Sequence, residues 1–238
     1  MRTLAILPIK SFGAAKQRLS GLLGNGSRQA LAQAMFLDVL ASLRRVPGID
    51  AVAVVTADSD AETAARRVGV HLLSDPEQAG QSAAAGIGIR HALALGFDRV
   101  LLVPGDTPLI EAGEIAAMLE RAEQDGTAAV IVPDRHGSGT NALLLTPPQA
   151  MVPSFGEDSL ERHRAMALEA GLTHRVEAIS SLLLDVDTPD DLAELSETLE
   201  GRRGQACMTR GALRQLDRSN VRRSVAAQGP PTAVRVQA

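Results

Sequence analysis

Aromatic side chains and cysteine are the scarcest residue types in this 238-residue chain. It has no tryptophan, no tyrosine and four phenylalanines. Proteins that bind single-stranded nucleic acid stack the bases on such rings, so the composition disfavours a nucleic-acid partner. The single cysteine, Cys207, excludes an internal disulfide and is typical of a protein of the reducing cytoplasm.

Long apolar segments are lacking as well. The first apolar run is interrupted by Pro8 and Lys10, which makes it too short for a signal peptide or a membrane span. We therefore predict a cytoplasmic protein with no membrane partner.

Charge is distributed unevenly along the chain. Residues 201–238 carry eight arginines and one acid, so residues 1–200 have a net charge of −11 within a total of −4. An acidic body argues against a nucleic-acid surface. We predict one folded domain over residues 1–200 and a basic, flexible tail over residues 201–238, with at most a short helix near Ala212–Leu216. A chain that ends at Glu200 should then still fold and work. Docking of the basic tail on the acidic body or on a partner is the alternative.

Apolar strands alternate with amphipathic helices through the first two thirds of the sequence. This pattern predicts an α/β fold with a mostly parallel, doubly wound sheet between two helical layers. The predicted strands are 3–9, 51–56, 70–73, 98–103 and 128–132, with a further apolar strand that ends at Leu145.

The stretch Leu101–Ile110 reads as a buried strand followed by a tight turn that carries Asp106. Ligands of open α/β sheets lie beyond the carboxyl ends of the strands, so Asp106 is a candidate functional carboxylate. A helix-capping or turn aspartate is the alternative.

A second apolar run, Leu182–Leu184, precedes Asp185 and Asp187 and is predicted as another strand. Carboxylates at two strand ends are typical of the two sides of a Mg²⁺ site. Asp190 and Asp191 follow Thr188-Pro189 at a helix start, where the helix dipole alone explains them.

The loop after the first strand holds three cations within nine residues, namely Lys10, Lys16 and Arg18. This is the place where an α/β sheet binds nucleotide phosphates, although the loop has neither a Walker ending nor the dinucleotide glycine fingerprint. A solvated surface loop is the alternative. Further along, Gln81 and Ser82 begin a helix, where they are predicted either to bind a base or phosphate or simply to cap the helix.

Two glycine-marked turns stand out in the second half. Residues 134–141 lead into a strand through Thr140 and Asn141, and Gly156 with Ser159 precedes a helix. Glycines allow backbone amides to approach an anion, and each turn is a candidate anion cradle.

These motifs, in this order over residues 3–199, resemble the phospholactate/phosphoenolpyruvate guanylyltransferases, which make an activated intermediate of the deazaflavin coenzyme F-420. The resemblance rests on Pro8-Ile9-Lys10, Ala15–Leu19, Pro104–Leu109, Asp134–Asn141, Phe155–Ser159, His163 and Asp185–Pro189. It implies a nucleotidyltransferase-like three-layer sandwich and transfer of GMP from GTP to a three-carbon phosphorylated acid. At Gly80–Ala83 the chain departs from the family's usual asparagine-containing turn, so base contacts stay open there.

The resemblance also implies roles for individual residues. It implies catalytic roles for Lys16, Arg18 and Asp106; nucleotide contacts from Pro8, Lys10, Lys16, Arg18, Gln81, Ser82 and Gly105; acceptor contacts from Thr140, Asn141, Gly156, Ser159 and His163; and Mg²⁺ on Asp106, Asp185 and Asp187.

Several alternatives stay open at this stage. The acceptor is phosphoenolpyruvate, 2-phospho-L-lactate or 3-phospho-D-glycerate, which one or two pocket side chains can distinguish. A nucleotidyltransferase for the molybdenum cofactor or a sugar phosphate and a non-catalytic nucleotide-binding module are rival functions. A homodimer is a further expectation.

Overall fold

A computed structural model of the chain describes residues 1–202 and 204–227. Its centre is a seven-stranded sheet in the order β3-β2-β1-β4-β6-β5-β7. The strands are β1 Thr3–Ile9, β2 Ala51–Thr56, β3 His71–Ser74, β4 Arg99–Leu102, β5 Ala129–Pro133, β6 Thr140–Leu145 and β7 His174–Val176. The predicted mostly parallel, doubly wound sheet is confirmed.

The described part of the chain has seven α-helices. They are α1 Asn25–Leu43, α2 Ser59–Val68, α3 Gln81–Ala94, α4 Ala112–Gln124, α5 Ser159–Glu169, α6 Pro189–Gly201 and α7 Cys207–Ala227. None of the helices within the described residues is long and apolar enough to cross a membrane.

Alternate residues of each central strand supply the two faces of the sheet. In β1, Ala5 and Leu7 join the core under α1, α2 and α4, whereas Leu4 and Ile6 join the core under α3 and α5. All four side chains are fully buried. The period of two along the strand therefore accounts for the three layers.

The antiparallel strand β6 brings the second half of the chain to the site. Leu102 of β4 pairs with Leu143 of β6, and Pro133 of β5 pairs with Thr140. The turn between β5 and β6 therefore lies at the same edge of the sheet as the carboxyl ends of β1 and β4. The basic loop after β1 and the predicted acceptor-binding turn before β6 consequently lie at the same edge of the sheet.

The predicted strand before Asp185 is wrong. Residues Ser180–Leu182 form a short 3₁₀ helix, and an irregular segment carries Asp185 and Asp187. The Asn141 amide donates to the Leu182 and Leu183 carbonyls, and the Val186 N–H donates to the Asp106 carbonyl. These isolated bonds take the place of a strand ladder, so the segment buries its alternate apolar side chains without joining the sheet.

The segment after residue 200 also differs from the prediction of a flexible tail. Helix α7 begins at Cys207 and packs beside α1 and α6. Leu213 and Leu216 pack against a third apolar cluster, which contains Leu19, Leu184 and apolar residues of α1 and α6. The Asp38 carboxylate of α1 accepts hydrogen bonds from the backbone N–H groups of residues 208 and 209, at 3.1 and 2.7 Å. Residues 203 and 228–238 of the predicted tail lie outside the described residues.

Candidate functional site

A cleft of about 550 Å³ opens at the carboxyl edge of β1 and β4. It is lined by the basic loop, by α1, by the start of α3 and by the turn after β4. Eight of the predicted site residues line it: Pro8, Lys10, Lys16, Arg18, Gln81, Gly105, Asp106 and Asp187. Lys10 and Arg18 are exposed there, where an anion can reach them.

Lys16 lies at the centre of the charged groups. Its ammonium donates hydrogen bonds to Asp106 Oδ2 at 2.5 Å and Asp187 Oδ1 at 2.8 Å, and its side chain is only 6% exposed. Burial alone lowers the pKa of Lys16, but these two carboxylates outweigh burial and raise the pKa above its ordinary value. Lys16 therefore stays protonated across the physiological range. It has a left-handed backbone conformation, with φ 55°, which few non-glycine residues adopt.

Two carboxylates near Lys16, those of Asp106 and Asp185, are partly or fully shielded from solvent. Asp106 Oδ1 is buried and lacks a hydrogen-bond partner. Burial raises the pKa of Asp185, and the nearby Asp106 carboxylate raises it further. Asn141 donates to Asp185 Oδ1 at 3.1 Å and so orients that side chain. Among the described residues, no three histidine, cysteine or acidic side chains are grouped closely enough to hold a metal ion, and the Lys16 ammonium lies between Asp106 and Asp187.

Gly105 sets the direction of the turn that carries Asp106. A Cβ atom at this position would collide with the Cδ1 atom of Ile9, which lies at the end of β1. The absence of a side chain allows the turn after β4 to pass close to β1. This close approach places Asp106 beside the basic loop.

The start of α3 contributes unequally to the cleft. Gln81 lines the cleft, whereas the hydroxyl oxygen of Ser82 accepts a hydrogen bond from the Phe155 backbone at 2.9 Å. Ser82 therefore fastens α3 to the segment before α5. Sequence reasoning missed Asp75 and Gln78, which also line the cleft and lie in a loop with no distinctive motif.

The predicted acceptor residues lie beside the cleft rather than in its wall. Thr140 and His163 are buried, and the Thr140 hydroxyl lies 3.0 Å from His163 Nδ1. The Ser154 backbone N–H donates to His163 Nε2 at 2.9 Å, which puts the ring proton on Nδ1. Burial, together with Arg162, lowers the pKa of His163 to about 4, so the ring is neutral. His163 thus holds the Thr140 hydroxyl in place.

Gly156 and Ser159 shape the entry into α5. Gly156 has a φ of 119°, a conformation that L side chains rarely adopt. Ser159 is the first residue of α5 and is 1% exposed. The structure brings this helix start next to the turn between β5 and β6, because Leu160 N donates to the Ser138 carbonyl at 3.0 Å.

Comparison with known proteins identifies the family. A family described as "Guanylyl transferase CofC like" matches residues 3–227. The chain belongs to this family. A phosphoenolpyruvate guanylyltransferase from Conexibacter woesei is 51% identical over 92% of this chain and 99% of its own length. A 2-phospho-L-lactate guanylyltransferase from Methanothermobacter thermautotrophicus is 36% identical over 82% of this chain and 84% of its own length.

Solved structures support the nucleotidyltransferase fold of this guanylyltransferase family member. A putative nucleotide-diphospho-sugar transferase from Desulfovibrio desulfuricans superposes with a TM-score of 0.72 at 19% identity, over 91% of this chain and 96% of the other. A nucleotidyl transferase from M. thermautotrophicus gives 0.61 at 21% identity, over 84% and 99%. The predicted family, fold and enzyme class are therefore confirmed.

Proposed function

We propose that this guanylyltransferase transfers GMP from GTP to phosphoenolpyruvate or 2-phospho-L-lactate and releases pyrophosphate, as the resemblance to enzymes of coenzyme F-420 biosynthesis implies. The names of the relatives support these acceptors. The observation that carries the proposal is the cleft in which Lys16 is buried between Asp106 and Asp187, with exposed Lys10 and Arg18 beside it.

The chemistry requires little proton transfer. A phosphate oxygen of the acceptor forms a bond to the α-phosphorus of GTP, while the bond from that phosphorus to the bridging oxygen breaks. The electron pair leaves with pyrophosphate. The attacking oxygen is already anionic at neutral pH, so no general base is needed, and the barrier is set by anion repulsion and by charge that develops on the leaving group.

The cations of the basic loop oppose that repulsion. Lys10 and Arg18 are exposed at the cleft, where they can pair with triphosphate oxygens. Lys16 is held rigidly by two carboxylates, and a fixed cation stabilises developing charge without reorganising in the reaction. Removal of one such group typically lowers turnover by ~10²–10³.

Mg²⁺ is the cofactor we propose, held by Asp106, Asp185 and Asp187. The buried, unpartnered oxygen Asp106 Oδ1 supports this proposal, and oxygen ligands suit Mg²⁺. Because the Lys16 ammonium lies between Asp106 and Asp187, the carboxylates would have to move closer together around the ion. When bound, the ion would neutralise phosphate charge and orient the triphosphate.

The acceptor is expected to lie next to α5. The Thr140 hydroxyl, fixed by His163, would provide a donor for a phosphate or carboxylate, with the turn at Gly156 and the positive end of the α5 dipole nearby. The N–H groups of Ser159 and Leu160 already donate to the Gly156 and Ser138 carbonyls. A neutral sugar would match this environment less well.

The test is pyrophosphate release from each of GTP, ATP, CTP and UTP with phosphoenolpyruvate, 2-phospho-L-lactate or 3-phospho-D-glycerate, with the product identified by mass. We expect GTP and one of the first two acids to give the highest kcat/KM. Asp106→Asn should abolish turnover and keep the fold. Wild-type activity in that variant at saturating Mg²⁺, or no guanylylated product from any acid, would contradict the proposal.

A cytoplasmic location and a homodimer are further parts of the proposal. The predicted reducing compartment fits the exposed free thiol of Cys207. Size-exclusion chromatography with light scattering measures the mass in solution, and a value near the 24.9 kDa of one chain would contradict the dimer.

A further inference from the structure

We propose that Asp191 and Arg135 are positioning residues that hold the Asp187 carboxylate against Lys16 and connect it to the turn between β5 and β6. Neither residue lines the cleft. The inference rests on the proposed function, because kinetics of guanylyl transfer are one of its readouts.

Asp191 accepts an unusually complete set of hydrogen bonds. Its Oδ2 atom accepts from Asp187 N at 2.9 Å, from Thr188 N at 2.6 Å and from Thr188 Oγ1 at 2.8 Å. The residue is 4% exposed, and its other oxygen, Oδ1, faces the Arg135 guanidinium. Asp191 is therefore a buried acceptor with both oxygens in use.

The bond to Asp187 N goes beyond helix capping. A capping box at α6 requires only the contacts between Asp191 and Thr188, the residue before the helix. Asp187 precedes that residue, and the bond to its amide fixes the backbone from which its carboxylate projects. That carboxylate reaches Lys16 Nζ at 2.8 Å, so Asp191 determines where one of the two partners of Lys16 lies.

Arg135 links the same group to the acceptor side. Its guanidinium contacts Asp191 Oδ1 at 2.6 Å and also pairs with Glu194, and its backbone N–H donates to the Leu183 carbonyl at 2.9 Å. Arg135 lies in the turn that leads to Thr140 at the start of β6. Arg135 consequently holds both ends of the acidic segment 183–188 next to this turn, one end directly at Leu183 and the other through Asp191 at Thr188.

Asp190 provides a matched control within the same helix turn. It lies next to Asp191, has the same charge and the same relation to the α6 dipole, and is exposed. Substitution of either aspartate by asparagine removes one charge from the first turn. Only the substitution at 191 replaces one of the two carboxylate oxygens that face Arg135 and the backbone of residues 187 and 188 by an N–H donor, so that one side loses its acceptor.

The experiment compares Asp191→Asn with Asp190→Asn in the full chain. Steady-state kinetics with GTP and phosphoenolpyruvate are measured over a range of Mg²⁺ concentrations, and Mn²⁺ binding without nucleotide is followed by the electron paramagnetic resonance signal of the free ion. Loss of an outer hydrogen-bond partner typically costs about 10–100-fold in metal affinity or activity. We expect Asp191→Asn to lower kcat and weaken Mn²⁺ binding by about tenfold or more, with the KM for the acid changed by less than about threefold.

Asp190→Asn should stay within about twofold of the wild type in every quantity. If Asp191→Asn loses thermal stability but matches Asp190→Asn in kcat and in Mn²⁺ affinity, Asp191 is only a helix cap and the proposal is overturned. Arg135→Gln keeps all three bonds from residues 187 and 188, and we expect an intermediate loss of kcat from it. If Asp191→Asn does not fold, the kcat of Arg135→Gln relative to Asp190→Asn decides between positioning and simple helix capping. A wild type that forms no guanylylated acid would refute the proposed function, while the Mn²⁺ comparison would still report on the positioning of Asp187.

Discussion

The contact between Asp38 and the start of α7 makes a sharp prediction about stability. Asp38 is 8% exposed and accepts the N–H groups of residues 208 and 209, the first donors of the helix. In Asp38→Ala these two donors lose their acceptor at a place where Thr209 is fully buried. Loss of a capping acceptor costs about 0.5–2 kcal/mol, and a charged, buried acceptor lies at the upper end of that range.

We therefore expect Asp38→Ala to lower the free energy of unfolding by about 2 kcal/mol, and Asp38→Asn, which keeps one acceptor oxygen, by about 1 kcal/mol. For a chain of this size each kcal/mol lowers the Tm by about 2–4 °C, so the alanine variant should melt roughly 4–8 °C lower. Differential scanning calorimetry measures this change. Trypsin should also cleave near Arg210 faster if the helix undocks.

The control is Asp217→Asn, which removes an exposed acid from α7 itself. It should change the Tm by no more than about 2 °C. If the Tm of Asp38→Ala lies within about 1–2 °C of the wild-type Tm and trypsin cleaves both proteins at the same rate, the capping contact contributes little to stability and the reasoning is refuted.

The same contact bears on activity. Leu213 and Leu216 pack in the cluster that contains Leu19, close to the basic loop, and Leu184, next to Asp185. Deletion of residues 202–238 would remove these contacts and the Asp38 bonds together, at a cost of roughly 4 kcal/mol. The truncated enzyme should therefore be less stable and less active, in contrast to the expectation from the sequence.

Three further perturbations follow from the site. His163→Gln should flatten the dependence of the free energy of unfolding on pH, measured by urea titration. The buried ring has a pKa of about 4 against 6.5 in the unfolded chain, so the wild type loses up to about 3 kcal/mol as the pH falls from 6.5 to 4. The control His136→Gln, at an exposed position, should keep the pH dependence of the wild type. Ser159→Ala should raise the KM for the acid about tenfold and spare that for GTP; the reverse pattern in steady-state kinetics would mean that the two halves of the site are interchanged. Lys16→Met should lower kcat by ~10²–10³ but bind Mn²⁺ more tightly in the absence of nucleotide, because two carboxylates lose their ammonium partner. An unchanged Mn²⁺ affinity, measured by electron paramagnetic resonance, would contradict this prediction.

Elements with an unbroken local pattern were predictable from the sequence. The predicted strands 3–9 and 51–56 coincide with β1 and β2, because a continuous apolar run between clear breaks has few other ways to be buried in an α/β chain. The position of Asp106 just beyond β4 followed from the same logic. Local composition sufficed wherever the partners of a segment were other regular strands and helices.

Elements whose backbone depends on a distant side chain were not predictable. The apolar alternation of Leu182, Leu184 and Val186 is typical of a strand, but the Asn141 amide, 41 residues away, satisfies the carbonyls of the segment without a ladder. Helix α7 was predicted as part of a basic tail because residues 201–238 carry eight arginines and one acid and show little apolar periodicity. Its docking depends on Asp38, which is 170 residues earlier and offers no signal within the helix itself.

The role of Lys16 shows the same limit in the site. The sequence places three cations in one loop and predicts that all three contact the triphosphate. What the sequence did not predict is that the fold brings Asp106 and Asp187, which are 90 and 171 residues away, to the ammonium of Lys16. One ammonium between two carboxylates leaves the centre of the cleft with an excess of negative charge, which would repel a triphosphate. We therefore expect the exposed Lys10 and Arg18 to make the first contacts with the nucleotide, and a divalent cation on the carboxylates would remove the remaining repulsion.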